Sequence, residues 1–195
     1  MNKIGIIGGG NIGTSLAMGL VNAGIYQPEN IIISKRNPAS LDYLKKSGFN
    51  ILSDNAFTVS NSEIIIIAVL PQQFDAVISQ ISSLLDSARH LLISVVSGVS
   101  IQQIEAKVNN VPIVRAMPNT AIAIQESMTC IAANARSASF QNEVKKIFEP
   151  FYTGKASGTG LGLAIVQKII EQHNASIKLL SSIRGETVFE LIFKN

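Results

Sequence analysis

The chain has a single cysteine, Cys130, among 195 residues, which excludes an internal disulfide. It sits in an apolar run with no histidine nearby and reads as a packed thiol, not a nucleophile. Charge is sparse and unsegregated. Charged residues make up 15% of the chain, the net charge is +3 and no block of one sign occurs, which argues against a nucleic-acid partner. Long apolar runs are missing too. The longest, Ile64 to Leu70, falls far short of the ~18 residues of a membrane helix and reads as a buried strand. The N-terminus offers one lysine and then glycines where a signal peptide would carry its apolar core. A cytoplasmic protein with no membrane partner is the expectation. Of the two histidines, His90 precedes a strand and His173 ends a helical stretch; both read as structural. No metal site is expected, and no side chain reads as a fixed general acid, so no catalytic residue is assigned.

What the chain does have is apolar content, 47%, enough for a buried core, and a glycine-rich opening. In Lys3 to Gly24 an apolar run (Ile4, Ile6, Ile7) meets Gly8, Gly10 and Gly13, and a helical pattern begins at once. G-x-G-x-x-G between a strand and a helix is the fingerprint of dinucleotide binding. Gly8 permits a tight turn, Gly10 lets the backbone approach a pyrophosphate, and Gly13 lets the helix pack on the strand. The free N–H groups at the helix start, where Asn11 and Ile12 stand, then face the anion with the helix dipole behind them.

The second apolar stretch, Ile31 to Ile33, is continuous, as a strand buried on both faces should be. In an NAD-preferring unit this strand ends in Asp or Glu, which holds the ribose 2′-hydroxyl. Here it runs into Ser34-Lys35-Arg36-Asn37, with no carboxylate. A carboxylate would repel a 2′-phosphate, whereas a guanidinium binds it bidentately. NADP(H) is therefore the expected cofactor, with NAD(H) as the alternative.

Beyond a first helix over 11–23, the pattern predicts helices over 38–47, 55–60, 72–85 and 100–108. Strands are expected over 49–52, 64–69, 91–96 and 112–115, then a loop at Met117-Pro118-Asn119-Thr120. A further strand over 128–132 and a helix over 140–148 follow. Strands alternating with helices mean an α/β fold, a doubly wound Rossmann-type parallel sheet with right-handed crossovers. Ligands bind beyond the carboxyl ends of such strands, which places Leu70, Pro71 and Gln72 near a nicotinamide.

Residues 1 to about 148 resemble the pyrroline-5-carboxylate reductase family. The resemblance is carried by Gly8-Gly9-Gly10-Asn11-Ile12-Gly13, by Ser34 and Arg36, by Asn55, by Ala68-Val69-Leu70-Pro71-Gln72-Gln73 and by Ser97-Gly98. Above all it is carried by Val114-Arg115-Ala116-Met117-Pro118-Asn119-Thr120. It implies reduction of a cyclic imine, pyrroline-5-carboxylate, to proline with NADPH or NADH. It also implies that Ser34, Arg36 and Asn55, with Lys35 beside them, touch the adenosine end. Ala68, Val69, Leu70, Pro71, Ser97 and Gly98 would lie along the rest of the cofactor, and Met117, Pro118, Asn119 and Thr120 along the substrate. Leu70, Ala121 and Ser127 depart from the lysine, proline and glycine usual in that family, the first removing a charge from the site.

After Pro150 the family's helical dimerisation domain does not follow. Instead, Phe148-Glu149-Pro150-Phe151-Tyr152 and Gly158-Thr159-Gly160-Leu161-Gly162-Leu163 resemble the last quarter of a histidine-kinase ATP-binding domain. A helix to His173 and strands over 176–182 and 187–193 are expected there, making a helix-plus-hairpin appendage over 149–195 behind the 1–148 domain. The asparagine helix, the D-x-G box and the phosphoacceptor helix of such kinases do not occur, so ATP hydrolysis is not expected. Ile165, Val166, Ile169 and Ile170 form an apolar stripe at helical spacing. It needs a partner surface, either the sheet edge or a second chain, and a homodimer through residues 160–195 is the reading taken.

Three functions stay open at this point: a reductase of a cyclic imine, an NADP(H)-binding module that turns nothing over, and a nucleotide-binding signalling fragment. The cofactor reading makes a direct prediction. Arg36→Glu exchanges attraction for repulsion at a 2′-phosphate and should weaken NADPH far more than NADH in a fluorescence titration. Equal weakening of both would show that Arg36 does not read that phosphate.

Overall fold

The computed structural model describes residues 3–118, 129–134, 136, 175–183 and 186–193. Short apolar stretches form six parallel strands. They are β1 (Ile4–Ile7), β2 (Ile31–Ser34), β3 (Asn50–Leu52), β4 (Ile64–Ile67), β5 (Leu91–Ser94) and β6 (Ile113–Pro118). A seventh, β7 (Thr129–Ala133), returns antiparallel along β6. Their order in the sheet is β3-β2-β1-β4-β5-β6-β7. β1 lies between β2 and β4, with Ile4 level with Ile31 on one side and Ile64 on the other. This is the doubly wound Rossmann topology, and the reversal of strand order at β1 opens a crevice at its carboxyl end.

Five helices cover the sheet: α1 (Asn11–Asn22), α2 (Asp42–Lys46), α3 (Asn55–Ser60), α4 (Pro71–Ile81) and α5 (Ile101–Glu105). On one face Ile4, Ile6, Ile31, Ile33 and Ile66 pack with Ala17 of α1 and Leu44 of α2. On the other Ile7, Ile65, Ile67 and Leu92 pack with Val59 of α3, Phe74 and Ile78 of α4 and Ile104 of α5. Strands buried on both sides cannot alternate polar and apolar residues, which is why β1, β2 and β4 are dominated by isoleucine, β4 without a break. The helix starts are set locally. The Asp54 carboxylate accepts the Phe57 N–H at 3.0 Å and opens α3. Ser100 and Gln103 cap α5 reciprocally, and Pro71 takes the first position of α4, where its missing N–H costs nothing.

Several expectations need correction. The helix over 38–47 is a 3-10 turn, Pro38–Leu41, followed by the five residues of α2. The helix over 72–85 is α4 to Ile81 and then a 3-10 turn, Ser82–Leu84, and the helix over 100–108 ends at Glu105. Met117 and Pro118, expected in a loop, belong to β6. The parallel partner β5 ends opposite Arg115, but β7 supplies new partners beyond it, pairing Met117 with Cys130 and Pro118 with Thr129. A strand judged by its parallel neighbour alone is cut short. His90 is buried as expected of a structural residue, its Nδ1 accepting the Asp86 N–H at 2.8 Å and its Nε2 lying 3.3 Å from the Val59 carbonyl.

In the tail, β8 (Ala175–Ile183) and β9 (Glu186–Phe193) form the expected antiparallel hairpin, with an irregularity between Leu179 and Ser181. β8 lies beside β7, the edge of the main sheet. The expected helices over 140–148 and 162–173 and the glycines at 158–162 lie outside the described residues. Among the described residues no helix is long and apolar enough to cross a membrane.

The double-sided core makes a prediction. Ile66 and Ile67 point to opposite faces and both are buried. Ile66→Ala and Ile67→Ala should each cost about 2–4 kcal/mol in urea denaturation. A half-solvated strand would show that loss at one of the two positions only.

Candidate dinucleotide site

The crevice is built from backbone. At the end of β1 the chain turns through Gly8, whose φ of +112° suits glycine and whose N–H donates to the Ser34 carbonyl of β2 at 2.9 Å. A side chain on Gly8 would meet the Ala68 carbonyl of β4 at 2.4 Å, so this one turn touches both neighbouring strands. A side chain on Gly13 would sit 2.0 Å from the Gly8 carbonyl, and its absence lets α1 start directly over the end of β1. Gly10 differs. Its backbone, φ −86° and ψ −171°, suits any residue, and a side chain there would meet nothing within 4 Å. The fold does not require glycine at this position; the space above it is open.

The first turn of α1 fits that space to an anion. No side chain caps it and no acidic residue stands in it. Its N–H groups are therefore presented outward with the positive end of the helix dipole. Lys35 and Arg36 follow β2 on the same edge; the ion pairs formed among the described residues, Arg89–Glu63 and Lys107–Asp75, involve neither. A dinucleotide, two phosphates with a third on the ribose in its NADP form, matches this donor set of backbone N–H groups and unpaired cations.

The structure gathers the expected residues at one carboxyl edge. Gly8, Gly10, Asn11, Ile12 and Gly13 lie after β1, Ser34 to Arg36 at the end of β2, and Asn55 at the start of α3. Ala68 to Pro71 follow β4, Ser97 and Gly98 follow β5, and Met117 and Pro118 end β6. Asn119 and Thr120 lie outside the described residues. Ser34 is 1% exposed, its hydroxyl donating to the Asn55 Oδ1 at 2.7 Å, so its side chain faces Asn55 and not the open crevice. Leu70 is 65% exposed at the head of α4, an apolar side chain held at the edge.

One group at this edge was not singled out from the sequence. Arg115 of β6 has a buried Nε with no hydrogen-bond partner, and its Nη2 lies 3.2 Å from the Met117 sulfur. Its signal was present, since it stands two residues before Met117 in the most specific string of the chain. A strand position alone does not say that a guanidinium will lack a carboxylate.

Comparison with known proteins agrees with this geometry. Residues 3–98 match the family model described as NADP oxidoreductase coenzyme F420-dependent. Residues 90–195 match that of the histidine kinase-, DNA gyrase B-, and HSP90-like ATPases. Two Dictyostelium discoideum proteins, pyrroline-5-carboxylate reductases 1 and 2, are 40% and 43% identical over 132 and 134 residues. Each match covers 67% of this chain but 24% and 44% of the relative, so the chain spans less than half the length of these two proteins. A Coxiella burnetii pyrroline-5-carboxylate reductase structure superposes with a TM-score of 0.67 at 26% identity, covering 89% of this chain and 69% of that one. The Plasmodium falciparum enzyme, solved with NADP bound, gives 0.61 at 24%, covering 88% and 67%.

The domain at residues 3–133 thus has the Rossmann-type fold, and its first part, 3–98, is similar to the NADP oxidoreductases of the first family model. By the second match, which spans just over half its length, the chain belongs to the histidine kinase-, DNA gyrase B- and HSP90-like ATPase family. The first part of that match, 91–133, holds β5, α5, β6 and β7 of the Rossmann sheet, whereas the kinase-like strings quoted above all follow it.

The contrast between two glycines is testable. Gly13→Ala should cost about 3 kcal/mol, because the added methyl collides with backbone. Gly10→Ala should leave the melting temperature in place and weaken dinucleotide binding. A Gly10→Ala chain that binds as the wild type does would remove Gly10 from the site.

Proposed function

We propose that the Rossmann domain binds NADP(H) across the carboxyl ends of β1, β2 and β4. On this reading it is the cofactor-holding part of a reductase of the pyrroline-5-carboxylate type, which yields proline from a small cyclic imine. The observation that carries the reading is the open, uncapped anion cradle at Gly10, with free Lys35 and Arg36 beside it. Identities of 40% and 43% to proteins named for that reaction support it.

The residues then take roles by position. Gly8 to Gly13 hold the pyrophosphate. Lys35, Arg36 and Asn55, backed by Ser34, hold the adenosine end and its 2′-phosphate. Ala68 to Pro71, with Ser97 and Gly98, run along the remaining half. Met117 and Pro118, with Asn119 and Thr120 by resemblance, line the place of the imine, where Arg115, whose buried Nε has no hydrogen-bond partner, offers charge to a substrate carboxylate. NADPH, when bound, supplies the hydride for the imine carbon. The imine nitrogen takes a proton from solvent, since no residue of this edge stands out as its donor. Holding the imine within reach of the nicotinamide is the chain's own contribution to the rate.

A second reading is a module that binds NADP(H) and reduces nothing. The domains proposed are 1–148 for the cofactor and 149–195 for a helix-and-hairpin appendage through which two chains pair. Titrating the chain with NADPH and NADH by fluorescence, then adding pyrroline-5-carboxylate and following NADPH absorbance, separates the readings. Tight NADPH binding with imine-dependent oxidation is the expected result. Binding without oxidation would leave the module, and failure to bind either cofactor would overturn both.

A further inference from the structure

We propose that Gln80, outside every motif of the site, positions the cofactor-binding amide of Asn55 through a hydrogen-bond relay with a fixed sense. The inference rests on the reading of this edge as a dinucleotide site. Asn55, the first residue of α3, links two other elements. Its Oδ1 accepts from the Ser34 hydroxyl at 2.7 Å, and its Nδ2 donates to the Gln80 Oε1 at 3.0 Å. Gln80 stands in the last turn of α4, exposed, 25 residues further along the chain. At the other end the Ser34 carbonyl takes the Gly8 N–H at 2.9 Å. The bonds therefore run from a surface glutamine to the phosphate-binding turn.

An amide side chain satisfies different partners when its oxygen and nitrogen exchange places. If Asn55 turned over, its Nδ2 would donate to the Ser34 oxygen, and the Ser34 proton would need another acceptor. Ser34 is 1% exposed and its hydroxyl bonds to Asn55. A buried hydroxyl proton without an acceptor is penalised, so the relay runs from Ser34 to Asn55 to Gln80. Gln80 completes it by presenting an acceptor. Asn55 then keeps one amide hydrogen and one oxygen lone pair, both fixed in place before a nucleotide arrives, and this is preorganisation.

Two variants force the sense of the relay. Gln80→Glu can only accept, which keeps it; Gln80→Lys can only donate, which reverses it. Simple charge predicts that lysine strengthens and glutamate weakens the hold on the phosphates of NADPH. The relay predicts the opposite order, with Gln80→Lys binding NADPH about tenfold more weakly than Gln80→Glu. In a Ser34→Ala background that order should disappear. NADPH binding by the wild type tests the dinucleotide reading; the order of the two variants tests the relay. In the ligand-free, 15N-labelled chain, the Asn55 side-chain amide signals should hold in Gln80→Glu and move in Gln80→Lys, which decides the relay even if no cofactor binds. Lysine binding as tightly as glutamate, or Asn55 signals alike in the two variants, would overturn it.

Discussion

The start of α1 rests directly on the end of β1 because neither Gly8 nor Gly13 carries a side chain, and the two backbones approach to a distance that a single methyl would fill. Most of the site depends on that contact. It aims the first N–H groups of the helix over the crevice. It also holds the Gly8 turn low enough to reach the Ser34 carbonyl of β2 and to pass over the Ala68 carbonyl of β4. The ends of β1 and its two neighbours, β2 and β4, are thereby brought together at one turn of backbone. Side chains then decorate an edge whose shape they did not set.

How far this was legible from the residues depended on the kind of signal. β1, β2 and β4 are rich in isoleucine, and a run buried on both faces has few other readings. The G-x-G-x-x-G turn and the missing carboxylate after β2 gave the cofactor class without coordinates. The helices were placed well at their starts, where Asp54, Pro71 and Ser100 supply local chemistry, and poorly at their ends. Ile81 and Glu105 are followed by no glycine, and after Ile81 the helix tightens into a 3-10 turn to Leu84, so no local signal marks either end. β6 was cut short because its last two residues are held by a strand more than ten residues later. Such pairing leaves no mark on a local pattern.

The Ser34, Asn55 and Gln80 side chains show a different limit. Asn55 could be marked by resemblance, but nothing in spacing says that its amide is held from α4. The contact exists because α3 and α4 cover the same face of the sheet, a fact of topology. The unpaired Arg115 is of the same kind: a residue type visible in the text, with surroundings visible only in space. The hairpin β8–β9 was legible through the resemblance of the tail to a histidine-kinase ATP-binding domain.

The place of β1 between β2 and β4 has a consequence for assembly. Its second neighbour, β4, lies sixty residues downstream, with Ile4 pairing Ile64. Until that loop is closed, the Gly8 turn has nothing beneath it on the β4 side, and the entropy of closure comes before any reward from the pairing. The nucleotide cradle thus has no early, local version that a partly made chain could use. It takes shape together with the sheet, late and all at once, so a cofactor can meet its site only on chains that have already passed the slow step of folding.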